Sequence, residues 1–251
     1  DGKQIAFMSA VWPEYSTKSF KESDALNKKR MDENDANPVK AKVFKRLFFR
    51  HWDEYVEDKR NHLFVMSFDN GKASEPRDVT PGDRDAYPTS TTFSIGVDFT
   101  FSPDGKHLYL TALPEKNEAW STDYDVCRVS LLPSPPGRGA GGEGNWETIT
   151  TTNRAADTTP QFSPDGKWFV YRAQKRPGYE ADKWELMLLP ADSLFETDEK
   201  KKAKPRSLTA EFEVSAEDFV WMPDNDRIYF SADDRGKHWY FVTNLKETNP
   251  A

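Results

Sequence analysis

Phe101-Ser102-Pro103-Asp104-Gly105-Lys106 recurs as Phe162-Ser163-Pro164-Asp165-Gly166-Lys167, and both ends of the chain echo it. Asp1-Gly2-Lys3 is the second half of the phrase, and Trp221-Met222-Pro223-Asp224-Asn225-Asp226 is a degenerate copy. The sequence is a series of repeats, expected to begin inside one. Proline presets φ for the first corner of a turn, Asp can hydrogen-bond the backbone two residues on, and Gly accepts the positive φ that lets the chain reverse. Each phrase therefore predicts a hairpin turn feeding a strand.

The strands that follow are short runs of aromatic and β-branched residues: Ile5-Ala6-Phe7-Met8, His107-Leu108-Tyr109-Leu110-Thr111, Trp168-Phe169-Val170-Tyr171 and Arg227-Ile228-Tyr229-Phe230. They close on Ser9-Ala10, Thr111-Ala112, Arg172-Ala173 and Ser231-Ala232. A further apolar strand is expected in each unit, at His62 to Met66, Asp125 to Leu131, Trp184 to Leu189 and Trp239 to Val242. Short fourth strands are expected at Asp78-Val79-Thr80, Thr148-Ile149-Thr150 and Ser207-Leu208-Thr209.

The spacing holds across these elements. Asp104 to Asp165 is 61 residues, while Ile149 to Leu208 and Asp165 to Asp224 are each 59. Four strands joined by hairpins and repeated at a fixed period describe the blade of a β-propeller better than a sandwich, which has no reason to repeat its sequence. The fold class is thus all-β: a partial β-propeller of about three and a half four-stranded blades over residues 1–251. Copy one lacks its first strand and copy four its last. Such an open arc exposes blade faces suited to packing on neighbours, so the isolated chain is expected to be sticky or marginally stable. Because common blades run to roughly 40–50 residues, the longer period implies long loops, the usual seat of binding chemistry.

Two segments interrupt the repeat. Residues from about 12 to 46 form a polar insertion between second and third strands, with a short helix expected over Ser19 to Arg30. Residues 133–144, rich in Pro and Gly, read as a low-complexity surface loop. Lys200-Lys201-Lys202 reads as a solvated loop.

Composition removes several function classes. The net charge of −7 argues against a nucleic-acid partner. No run approaches the roughly 18 apolar residues of a membrane span. Aromatic residues make up 14% of the chain, which suits blades packed face to face. Cys127 stands alone mid-strand and reads as a small buried hydrophobe. No G-x-S-x-G elbow, zinc-spaced His or Cys set, or phosphate-binding loop is present, so no catalytic residue, metal or cofactor is expected.

One stretch carries suggestive chemistry: Arg50-His51-Trp52-Asp53-Glu54-Tyr55-Val56-Glu57-Asp58-Lys59-Arg60. It reads as a charged hairpin tip whose Trp52 and Tyr55 pack onto the blade. It also reads as a substrate-binding loop in which Asp53, Glu54 or Glu57 receives an ammonium and Trp52 or Tyr55 lines the pocket.

The F-S-P-D-G-K phrase with its following strand resembles the propeller repeats of the prolyl oligopeptidase family of serine peptidases, and equally TolB-like repeats. Arg50 to Tyr55, Arg60-Asn61-His62-Leu63-Phe64-Val65 and Arg77-Asp78-Val79-Thr80-Pro81-Gly82 are similar to the dipeptidyl-peptidase 5 and bacterial acylaminoacyl-peptidase-like group. The resemblance implies that a propeller of seven or eight blades caps an α/β-hydrolase domain with a Ser-Asp-His triad and restricts it to short peptides. It also implies periplasmic or secreted localisation, a peptide substrate reached through a catalytic domain not in this chain, and possible homo-oligomers of the parent. No triad motif is present, so the chain alone is expected to be non-catalytic. A TolB-like scaffold with a protein partner is the alternative, and a carbohydrate-binding propeller, suggested by eight Trp residues, a weaker third.

Overall fold

A computed structural model describes residues 2–45, 47, 49–51, 54–55, 58–89, 93–113, 119–132, 146–198 and 200–246. Four antiparallel sheets follow one another along the chain as blades I to IV. Blade II orders Phe99–Phe101, His107–Ala112, Asp125–Ser130 and Trp146–Thr148 as a four-stranded meander. Blade III repeats it with Asp157–Phe162, Trp168–Ala173, Glu185–Pro190 and Arg206–Ser207. Blade IV has three strands, Phe219–Trp221, Arg227–Asp234 and Lys237–Asn244. In blade I, Gln4–Val11 pairs with Arg60–Asp69, which also pairs with Lys72–Ala73 and Arg77–Asp78. The architecture is a partial β-propeller.

The repeated phrase makes the turn expected of it, and its serine has a part in this that spacing did not disclose. In blade II the Ser102 hydroxyl donates to Asp104 Oδ1 at 2.6 Å and accepts from His107 N at 3.0 Å, while Gly105 N donates to Ser102 O at 2.9 Å. Blade III reproduces all three with Ser163, Asp165, Gly166 and Trp168. In the degenerate copy Met222 has no hydroxyl, and Arg227 N donates to Asp224 Oδ1 instead, at 3.1 Å. Asn225 supplies the positive φ, +61°, that glycine supplies elsewhere.

The outer strands use a second repeated device. Thr80, Thr150 and Thr209 lie just past them, and their hydroxyls accept from Leu63 N, Val126 N and Leu186 N at 2.8, 3.0 and 2.9 Å. Each threonine thus extends the ladder by a side-chain bond where regular pairing has stopped. The expected fourth strands accordingly begin and end earlier than the sequence suggested.

Period-two alternation sends successive residues of a strand to opposite neighbours. Leu108 and Leu110 join Leu63, Val65 and Val79 of blade I, whereas Tyr109 joins Phe169 and Tyr171 of blade III. Val170 faces the other way, toward Phe219, Trp221, Ile228 and Phe230 of blade IV. Trp168, Trp184 and Trp221 all pack in or against these clusters. Cys127 is fully buried among them, and burial pushes its thiol up to about 12. The face of blade IV away from blade III leaves Val220, Tyr229, Tyr240 and Val242 exposed.

The insertion departs from expectation in one respect. Its helix spans Phe20–Ala36, longer than Ser19 to Arg30, with Ser19 as N-cap. Lys28–Asp32 and Lys29–Glu33 pairs four residues apart support the extra turns. The low-complexity stretch 133–144 lies outside the described residues. Lys200 and Lys201 are exposed, between the third and fourth strands of blade III.

Two outcomes are expected. Gly166→Ala must hold φ near +71° and place Cβ 2.7 Å from Pro103 Cγ in the adjacent turn, whereas Gly105→Ala at +67° meets only Gln4 at 3.6 Å. Urea unfolding should show a loss of about 2–4 kcal/mol for the former and about 1–2 for the latter. Between blades II and III, Asp125 accepts from the Thr150 hydroxyl at 2.7 Å, and burial raises its carboxyl from 3.8 to about 6. The fully buried Asp157 is raised well above 3.8 for the same reason. A raised acid holds its proton longer when folded, so stability should fall as pH rises from about 4 to 6. Thermal melts should show that fall shallower in Asp125→Asn.

Candidate functional site

The stretch singled out by its charge lies beside the insertion helix. Arg50–His51 and Glu54–Tyr55 form a small two-stranded hairpin separate from the blades. Glu54 is on its second strand, while Trp52, Asp53 and Glu57 lie outside the described residues. Tyr55 is half exposed; its ring stacks on Phe44 with centroids 5.3 Å apart, and Lys42 Nζ lies 5.2 Å from its centroid. Phe44 also meets Phe49 at 5.1 Å. The aromatic body of Tyr55 therefore contacts the insertion.

Phe44 also lines a cavity of about 380 Å³ with Trp12, Arg30, Asp35 and Asp58. Trp12 is buried at its base, and its backbone N donates to Asn27 Oδ1 at 2.9 Å, fastening the helix to the end of the first strand. The Arg30 guanidinium and the Lys59 ammonium each lie 4.6 Å from its ring centroid. The chain's own cations thus already engage this indole, and the carboxylates Asp35 and Asp58 remain the groups suited to an incoming ammonium. Nothing in the spacing of residues 12–46 marked Phe44 or Lys42 as neighbours of Tyr55.

The rest of the resemblance-bearing block is a buried ionic network. Arg60, 4% exposed, donates through Nε to Asp83 at 2.8 Å and through Nη1 to Asp85 at 2.6 Å. Asp85 also accepts from Asn61 N at 2.7 Å. The fully buried His62 ring places Nδ1 2.7 Å from Asp78 and Nε2 2.9 Å from Gly82 O. Arg60 and His62 point to the same face at the start of the third strand, and Leu63 and Val65 further along it enter the core from the other. These residues hold the loop after the outer strand against blade I, and their role is structural.

Glu217, Asp233 and His238 could bring one ligand atom each within 4.8 Å of one another at the end of blade IV. They are partly or fully exposed, and His238 Nδ1 already lies 2.9 Å from Asp233 Oδ1. An exposed group of this kind is common without a metal.

No protein-family model matches the chain. Dipeptidyl-peptidase 5 of Porphyromonas gingivalis is 28% identical over 200 residues, covering 79% of this chain and 26% of that protein. Dipeptidyl-peptidase 5 of Aspergillus fumigatus is 23% identical over 208 residues, covering 78% and 27%. The chain is a distant homologue of dipeptidyl-peptidase 5. It spans about a quarter of the length of these curated relatives. A puromycin-hydrolysing peptidase of Mycobacterium tuberculosis overlays 76% of this chain and 27% of its own at TM-score 0.46 and 18% identity. TolB of Acinetobacter baumannii overlays 75% and 36% at 0.44 and 16%. No helix among the described residues is long and apolar enough to cross a membrane.

The network gives a contrast to measure. Arg60→Ala strands the buried Asp85 carboxylate and should cost about 3–5 kcal/mol in chemical denaturation. Asp83→Ala removes the exposed partner alone and should cost below about 1 kcal/mol.

Proposed function

We propose that this propeller segment works as the substrate-filtering part of a serine exopeptidase of the dipeptidyl or acylaminoacyl type, whose catalytic α/β-hydrolase domain is encoded elsewhere in the parent protein. The observation that carries this reading is the homology to dipeptidyl-peptidase 5 over 200 of the 251 residues. The chain's own chemistry suits the assignment, since its sequence has no nucleophile elbow and its loops carry charged and aromatic groups around a cavity of small-molecule size. On this reading the hairpin with Trp52, Asp53, Glu54, Tyr55 and Glu57 helps to register the free amine of a short peptide. A carboxylate recognises an ammonium by charge-assisted hydrogen bonds, and an aromatic face adds cation–π attraction. Acyl transfer to serine and hydrolysis follow in the attached domain.

The test begins with the parent gene. A G-x-S-x-G followed by Asp and His in a further α/β-patterned region is the expected result. Further P-D-G repeats with no hydrolase pattern would overturn the peptidase reading in favour of a TolB-like scaffold with a protein partner. In the full-length protein, Asp53→Asn, Glu54→Gln and Glu57→Gln combined should raise KM for free-amine dipeptide substrates about tenfold, the loss of about 1.4 kcal/mol. KM for N-acylated analogues should stay unchanged. Equal effects on both substrate types would remove the hairpin from amine recognition.

A further inference from the structure

The second strands of the repeat end on Ser9-Ala10, Thr111-Ala112, Arg172-Ala173 and Ser231-Ala232. Three copies place a hydroxyl at the penultimate position, and blade III places a guanidinium there. The hydroxyls of two copies are used within the fold: the Thr111 oxygen accepts from Thr159 N at 2.9 Å, and the Ser231 oxygen from Asp218 N at 3.2 Å. Arg172 is 3% exposed, and its Nε and Nη1 have no hydrogen-bond partner among the described residues. Its guanidinium carbon lies 4.2 Å from the ring centroid of the buried Trp184. Stacking of this kind engages the face of a guanidinium and leaves its edge N–H groups for a ligand.

A buried cation without partners is costly, and natural folds seldom keep one without use. The buried Asp98 carboxylate attracts Arg172 through space but makes no ion pair or hydrogen bond with it among the described residues. Asp98 takes hydroxyl donors from Ser94 and from Thr159, the latter at 3.1 Å, and burial outweighs these in raising its carboxyl above the ordinary value. Burial likewise pulls Arg172 down to about 10, which leaves it charged at neutral pH.

Arg172 lines a cavity of about 460 Å³ at the end of blades III and IV opposite the repeated turns. Trp184, Ser215, Glu180, Glu217 and Asp218 line it as well. Asp182, also on its wall, is engaged by Lys175 N and Arg176 N at 2.8 Å. The wall thus sets one buried guanidinium, without an ion-pair contact among the described residues, among several carboxylates, of which Asp218 and Glu217 attract it through space. A multiply charged anion such as phosphate would be repelled by them. A bare cation would be repelled by Arg172. A molecule with both a carboxylate and an ammonium satisfies each side, the carboxylate meeting the planar guanidinium edge in the two-pronged geometry that arginine favours.

We propose that this cavity is a binding site for a small zwitterion of amino-acid or short-peptide size, with Arg172 receiving its carboxylate and Glu217 and Asp218 receiving its ammonium. The site is separate from the hairpin and does not rest on the peptidase reading.

Isothermal titration of the 251-residue chain with alanyl-alanine, acetyl-alanyl-alanine and alanyl-alanine amide tests it, with no catalytic activity needed as a readout. The expected result is saturable binding of alanyl-alanine below about 1 mM and at least about tenfold weaker binding of either blocked form. Arg172→Met, close in volume, should keep the thermal midpoint of the ligand-free chain and lose the binding. Should that variant fail to fold, Glu217→Gln with Asp218→Asn on the exposed rim is the second probe, expected to bring alanyl-alanine down to the affinity of its acetylated form. Absence of saturation by alanyl-alanine up to about 10 mM would overturn the site. So would unchanged affinity in a folded Arg172→Met chain. Acetyl-alanyl-alanine binding as tightly as the free dipeptide would overturn the assignment of Glu217 and Asp218.

Discussion

Each blade is a thin sheet that needs a neighbour on both faces, and nearly everything else in the molecule follows from this. Because side chains alternate along a strand, Leu108 and Leu110 belong to one interface and Tyr109 to the next, and Val170 carries the series on to blade IV. Stability is therefore shared between blades, as in other repeat architectures whose units contact only the units beside them. The same constraint explains the open side of blade IV, where Tyr229, Tyr240 and Val242 have the apolar character of interface residues and lie in solvent.

Packing of this kind tolerates little variation in how one strand leads to the next, and the repeated turn supplies the regularity. Its Ser–Asp–Gly side chains and backbone close a small hydrogen-bonded ring, and adjacent turns also touch. Pro103 stands where a side chain on Gly166 would need to go, and Asp165 N donates to Asn225 Oδ1 of the following turn at 2.8 Å. Loops at the opposite end are free of this demand. The Arg172 cavity lies there, bounded by the segment before blade II, the long loop within blade III and the approach to blade IV. Propeller geometry thus separates a structural end from a chemically variable one.

Arg172 also shows why a repeat is informative where it fails. Three repeats put Ser or Thr at that point, so the arginine stands out against its own chain, with no comparison to other proteins required. In the sequence it could be seen as an irregular strand end. Its burial, its place over Trp184 and its unpaired nitrogens come from segments some tens of residues apart. The hairpin was marked by its density of charged and aromatic residues, and the structure puts Glu54 and Tyr55 on its second strand. The stacking of Tyr55 on Phe44 was illegible because the insertion carries no periodic pattern to predict where it would dock.

The sequence by itself determined the repeat length, the position of the turns and the blade architecture, because those depend on residues close together in the chain and on a period that one sequence displays several times. Tertiary structure alone decided which charged groups are buried. Arg60, His62 and Arg172 look like ordinary surface polar residues in a strand pattern, and only the approach of distant loops gives the first two a carboxylate in direct contact and leaves the third with none in ion-pair contact among the described residues. Desolvation is a property of the assembled fold, set by what covers a group from every side, and no local pattern encodes it.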